Sequence, residues 1–550
     1  SNESVSDGAA GFAAGKGVSG SGIGGGGAGL GGALFVMHGA SLTITQDNSG
    51  GTAGFTSSSV SGGTTPSGGN NGGAYGYDLF LGEDVTFNVA NTLTVSALGG
   101  AGNLSDSSVS SNAGDPNASG GLIKAGSGTL VLSGTSYYSG ATVVQQGVLA
   151  LGQNAAEIGT PGIVVGGTGN AELFLATNSL IASGTSGAVI TLGQSAGVQG
   201  TLTIGSGSNG AGNGYATVTS GSGSGVIRFN EEGAFQSASE VYPFYLTITG
   251  SVGIIQNAPG ITLLSPAAGA NSYTGGTIIN AGTLQLASAE ALPVAGSVQI
   301  NGGALDLNGK TAASGALTLA GGSLINSGSA ATLDPSAIIA SSGTLGAAIT
   351  GASILEKLGS GTVTVLAENA STGSVLIEEG TLALGVSSAL SNTQTVILAS
   401  GAVLSLGADD AVNSDAQVDW NGTVSVSAGA VSQTLGDTII SGPGSRLDTD
   451  GNTLSLTFTT LSLAAGLDVW NWNSGLDEMF VLDGILVGTA SQIRFFSDDG
   501  ATLLGVGELN GTEIQVVPEP AGLALLGFGF VACAGLAARR KARSVNGSLS

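Results

Sequence analysis

Short apolar–polar alternations set the pattern of this chain. Leu284/Leu286, Val298/Ile300, Leu305/Leu307 and Leu317/Leu319, then Leu404/Leu406 and Val424/Val426, each skip one residue, and neighbouring equivalents lie 19 to 21 residues apart. A period of two places both apolar side chains of a pair on one face of a strand. Gly-Gly, Asn-Gly and Ala-Gly dipeptides between the pairs supply the positive-φ corners that turn the chain. Stacked coils bury those faces against one another, and no helical period interrupts the pattern before residue 517. The predicted fold is all-β: a parallel β-helix, or solenoid.

Internal repeats strengthen this reading. Residues 122–152 align without gaps to 355–385, matching Lys124 to Lys357 and Gly147 to Gly380. A third stretch, 273–286, aligns to 138–151 and keeps only the second half. The chain then divides as follows. Residues 1–120 are Gly/Ser-rich, with isolated runs such as Ser41–Ile44 and Val85–Phe87, and predict irregular coils with long loops. The opening Ser and the absence of a basic, then apolar leader imply a removed signal peptide or a truncated N-terminus, and truncation is preferred because the opening reads as the interior of a Gly-rich repeat region. Residues 121–435 form the repeat solenoid. Residues 436–516 gain Trp470 and Trp472 and the runs Leu454–Phe458 and Ile493–Phe496, predicting a C-terminal β-module that closes the last coil's unpaired backbone edge. Residues 517–543 form an apolar, basic-ended segment, and 544–550 a polar tail.

Composition removes several function classes. With 41% apolar and only 9% charged residues, the chain does not fit the disordered class. Its formal charge is −25, from 11 Lys+Arg against 36 Asp+Glu. Such a surface repels phosphate backbones, so nucleic acid is not an expected partner. Cys533 is the lone cysteine, which excludes an intramolecular disulfide. His38 is the lone histidine, so any His-dependent triad or zinc site would have to include it; it reads as a strand-end residue. Gly22–Gly27 fits a dinucleotide fingerprint only formally, since it follows no strand and opens no helix. Gly309-Lys310-Thr311 reads as a turn.

Oxygen ligands at Asp448, Asp450 and Asn452 have a spacing used by calcium loops, with a solvated turn as the preferred account. Acidic pairs also stand at Asp409-Asp410, Asp477-Glu478 and Asp498-Asp499. Trp470-Asn471-Trp472 should place both indoles on one strand face, where core packing is preferred to a sugar-stacking platform.

Val517-Pro518-Glu519-Pro520 precedes eighteen uncharged residues, 521–538, and the basic cluster Arg539, Arg540, Lys541 and Arg543. As a helix those eighteen residues span about 27 Å, enough for a hydrocarbon core, so a single transmembrane helix is predicted. The basic end would stay cytoplasmic. The order resembles the PEP-CTERM sorting signal of Gram-negative, biofilm-forming bacteria. That resemblance implies an exosortase-like processing enzyme as partner, a membrane-inserted intermediate, cleavage near Pro520, and transfer to the envelope or its exopolysaccharide.

The 122–152 and 355–385 stretches look like the autotransporter-associated β-strand repeat. The single-helix ending departs from true autotransporters, which end in a many-stranded barrel. The expected function is a structural or adhesive surface protein without catalytic machinery or cofactor. The alternative is a polysaccharide-active enzyme on a β-helix, which needs carboxylates converging in a groove.

Overall fold

The computed structural model describes residues 29–518 except 31–33, 37–39, 47–52, 56–73, 76–78, 96–97, 101–119, 139, 153–156, 177–179, 183–186, 206–214, 231–240, 258, 268 and 483–484. The chain divides into two compact units, Ser1–Ser353 and Ile354–Ser550.

In the first unit the chain winds through three strands per coil, and each face of the coil stacks in parallel on the next. Leu122–Ala125 lies between Val85–Val89 and Thr142–Val144. Thr129–Leu132 lies between Thr92–Val95 and Gly147–Leu151. Ser136–Tyr137 lies beside Leu98–Gly100 and Glu157–Gly159. In-register pairing makes columns of like residues: Leu93, Leu130, Leu149, Leu173, Leu202, Ile227 and Ile254 follow one another through successive coils. All seven are buried. Burying each such side chain stabilises the fold by about 1.5–3 kcal/mol, and alternation sends its polar neighbours outward. The coil shortens to about 20 residues where Thr277, Val298, Leu317 and Ile338 stack, in keeping with the spacing in the sequence.

The second unit repeats this construction. Leu355, Val375, Val396, Val418 and Thr438 form one column, and Val363, Leu382, Leu404, Val424, Leu447, Val469 and Phe495 another. Parallel pairing continues through the long strands Ala430–Ile440 and Thr453–Leu463 and on to Ile493–Ser497. The direction then reverses. Thr502–Asn510 runs antiparallel to Ile493–Ser497, and Glu513–Val517 runs antiparallel to Thr502–Asn510 and to Glu478–Val481. This antiparallel ribbon forms a closing cap on backbone groups that another parallel coil would otherwise pair.

Helical structure among the described residues is confined to the 3-10 turns Ala289–Ala291, Ala490–Gln492 and Asp498–Gly500. None of the described helices is long and apolar enough to cross a membrane, and segment 521–538 lies outside the described residues.

Candidate functional site

Two places in the fold concentrate chemistry: the corners of the repeats and a cleft in the cap. At the first, Lys124 stands next to the end of the strand Leu122–Ala125 with the side chain turned inward and 0% exposed. Its Nζ donates to the carbonyls of Ala125 (2.9 Å), Gly126 (2.8 Å) and Gln146 (3.0 Å). Lys357, also 0% exposed, donates to the carbonyls of Leu358 (2.9 Å), Gly359 (2.6 Å) and Glu379 (2.8 Å). The two sets of acceptors are the same positions of the repeat. An ammonium has three donors, and here all three are used on backbone carbonyls at the corner.

Burial pulls the Lys124 amine down to about 8. Burial also lowers Lys357, with the Glu379 charge acting in the opposite direction. The next corner residues, Gly147 and Gly380, hold φ of 74° and 69°. A Cβ at either would stand 2.5 Å from two corner carbonyl oxygens. Only glycine fits there without displacement.

The same corner recurs with other donors. Asn280 N–H bonds the Gln256 carbonyl as Gln145 bonds that of Lys124 and Glu378 that of Lys357, so buried Gln256 stands at the lysine's place in a third repeat. That repeat also keeps the hydroxyl pair Tyr273–Thr277 (2.6 Å), the counterpart of Tyr138–Thr142 (2.6 Å). Three coils beyond Lys357 in the same column, Trp420 Nε1 donates to the Gly422 carbonyl (2.9 Å).

The second place is a cleft of about 430 Å³ in the cap, lined among others by Trp472, Asp477, Glu478, Glu513, Gln515 and Pro518. It arises because Glu478–Val481 and Glu513–Val517 pair side by side while the turn before Asp477 folds over them. Met479, Val481 and Ile514 are buried, so alternation turns Glu478, Glu513 and Gln515 to the other face. Asp477 anchors the turn: its carboxylate accepts the N–H groups of Leu454 (2.9 Å) and Asn473 (2.7 Å). Burial raises its pKa, and these two bonds work against that rise. Trp472 packs its ring 5.0 Å from that of Phe495. Gln515 Nε2 donates to Glu513 Oε2 (2.8 Å).

The remaining residues singled out in the sequence fall as follows. Trp470 and Trp472 do not share a face: Asn471 between them adopts φ 57°, which breaks the alternation. Trp472 turns inward, and Trp470 lies under the Arg446 guanidinium, 4.2 Å from its ring centroid. Asp448, Asp450 and Asn452 form a tight turn. Asp448 Oδ1 accepts the Asp450 N–H (3.1 Å) and the Asn471 amide (2.9 Å), and Asn452 Nδ2 donates to the Val426 carbonyl (2.9 Å). Among the described residues no cluster of three or more His, Cys, Asp or Glu is arranged to hold a metal.

Asp409 Oδ1 accepts the Ser432 N–H (2.7 Å), and Asp499 bonds Asn471 through both side chain and backbone. Arg494 forms a two-pronged pair with Asp468 (2.8 Å and 2.8 Å). Val517 ends the last strand and Pro518 lines the cleft. Glu519, Pro520, Arg539, Arg540, Lys541, Arg543, Cys533, His38 and Gly22–Gly27 lie outside the described residues.

Sequence comparison agrees with the corner geometry. No curated protein and no solved structure matches the chain. The family described as the passenger-associated-transport-repeat matches three stretches, residues 122–151, 260–286 and 355–384. These hold Lys124, Lys357, both Tyr–Thr pairs and the corner glycines Gly147, Gly282 and Gly380. The chain therefore carries repeats of the autotransporter-passenger kind on a parallel β-solenoid.

Proposed function

We propose that this chain is an exported, surface-exposed structural or adhesive protein of a Gram-negative envelope, sorted through its C-terminal segment and held among exopolysaccharide or biofilm matrix. The observation that carries the reading is the coincidence of three passenger-type repeats with the parallel solenoid. Residues 517–543 supply the sorting half: Val517-Pro518-Glu519-Pro520 for an exosortase-like enzyme, 521–538 for the membrane, and Arg539, Arg540, Lys541 and Arg543 to fix orientation. A glycan-cleaving activity would draw on the carboxylates of the cleft. Asp477, however, gives both oxygens to backbone N–H groups of the fold, which favours a structural role for it over acid–base work.

The test is fractionation and surface proteolysis of the full chain in a host that has the processing enzyme, with mass spectrometry of the C-terminal peptide. The reading expects protease-accessible protein ending shortly after Pro520. An intact Ser550 terminus on surface material would make the tail a plain anchor, and protein confined to the cytoplasm would overturn export.

A further inference from the structure

We infer that the end of the cap from which the chain leaves, the rim around Val517 and Pro518, rests on the surface of a lipid bilayer. This deepens the sorting reading above and rests on its membrane span at 521–538. Tether length and surface chemistry carry it, and charge selects the lipid.

Val517 ends the last strand, and four residue steps separate it from residue 521, where eighteen uncharged residues begin. Fully extended, four steps reach about 14 Å, so a span starting at 521 draws the rim down to the headgroups. The cap cannot stand clear of the bilayer on so short a lead.

Three large aliphatic side chains are exposed at this end: Leu476 (60%), Leu503 (41%) and Val517 (37%). The pairing places them around the exit. Gly505 lies against Pro518, since a Cβ on it would stand 3.0 Å from the Pro518 Cα, and Leu503 is two residues away on the same strand. Leu476 adjoins Asp477, which lines one cleft with Leu504 and Pro518. The boundary between headgroups and acyl chains takes up apolar side chains of this kind, which water does not solvate favourably. Leu482 is exposed as well, but it stands beyond the other end of the strand Glu513–Val517, where the Val481 N–H bonds the Thr512 carbonyl.

Asp498 and Asp499 form the turn that leads into Thr502, so they share the exit end. Carboxylates there meet like charge on an anionic leaflet, which commits the contact to a zwitterionic one. Seated in this way, Val517-Pro518-Glu519-Pro520 is held at headgroup level.

The experiment places the full chain in phosphatidylcholine nanodiscs and attaches a nitroxide to one cysteine at a time. Native Cys533 reports on the span. Leu476→Cys and Leu503→Cys, each combined with Cys533→Ser, report on the rim at exposed positions outside the core. Leu366→Cys with Cys533→Ser reports on the solenoid wall: it is also exposed, and its strand lies six coils from Phe495. Relaxation by oxygen, which enters lipid, is compared with relaxation by a water-soluble nickel chelate. Nickel relaxation at both rim labels should be roughly fivefold weaker than at the Leu366 position, with oxygen relaxation stronger. Rim labels relaxed by nickel as fully as the wall label, while Cys533 stays shielded, would overturn the inference and leave the membrane reading standing. Equal shielding of rim and wall would also overturn it, because the contact would not belong to the cap end. A Cys533 label open to nickel removes the membrane reading, and the inference with it.

Discussion

The repeat corners and the closing cap hold the polar backbone of a turn in opposite ways. At Lys124 and Lys357 a single ammonium reaches three carbonyls, and a glycine at φ near 70° makes room for it. In the cap each polar group has its own arrangement: Asn471, Asp498 and Asp499 take left-handed backbone, and Asp477 supplies acceptors for N–H groups instead of donors for carbonyls. A coil with a neighbour above and below can reuse a corner. The cap, pairing antiparallel, has no such template and needs residues specific to it. The lesson is that repetition brings the same carbonyls within reach of the same side chain. In the Lys357 column Trp420 places an indole N–H on the Gly422 carbonyl, which also accepts the Arg446 N–H of the next coil.

The lysines offer the most forceful way to break this comparison. Lys357→Met keeps much of the volume but removes the donor shared by three part-buried carbonyls, so it should destabilise the full chain by about 2–3 kcal/mol. Lys124→Met should cost a similar amount, each read from urea unfolding. A large loss at one lysine and none at the other would break the equivalence.

Glycine substitutions sharpen it. Gly380→Ala meets both a strained φ and two oxygens at 2.5 Å, whereas Gly401, at φ 82°, has nothing within 4 Å. The first should cost about 2 kcal/mol or more and the second about 1 kcal/mol by the same measurement, since only the backbone strain is common to both. Equal costs would show that the corner is loose.

The smallest effect concerns acid, and there the two regions should differ in sign. Asp306 is buried, which raises its pKa, but bonds from Ser327, Gln285 and Asn308 outweigh burial and hold it below the ordinary carboxylate value. Its contribution is present above that ordinary value and is lost as pH falls through the lowered one. Asp477 is raised by burial, so its contribution is present at acid pH and is lost as pH rises through the raised value. Stability followed from pH 6 to 3 should therefore show Asp306→Asn blunting the acid loss and Asp477→Asn removing a term of opposite sign.

How much of this was legible in the sequence follows from the same contrast. The coil spacing and the Lys124–Lys357 match were readable, because period-two burial and an ungapped repeat leave direct marks. The lysine's place at Gln256 was not: Ile261 to Tyr273 is three residues longer than Thr129 to Tyr138, and a gap-free alignment loses the first half there. The two tryptophans were placed on one face by alternation, a rule that the left-handed Asn471 suspends. The cleft left no mark of spacing, since it forms only when Phe480 pairs with Glu513 in an antiparallel ribbon that no periodicity announces.

Native-state acylation of the full chain with acetic anhydride, read lysine by lysine by mass spectrometry, tests the central claim most directly. Lys310 is only half-buried, at a turn, while Lys124 and Lys357 are 0% exposed. The account predicts that Lys310 is modified readily and that Lys124 and Lys357 are protected to the same degree until the protein unfolds. Modification of either corner lysine at the rate of Lys310, with the other protected, would contradict the claim that the two repeats build one and the same buried corner.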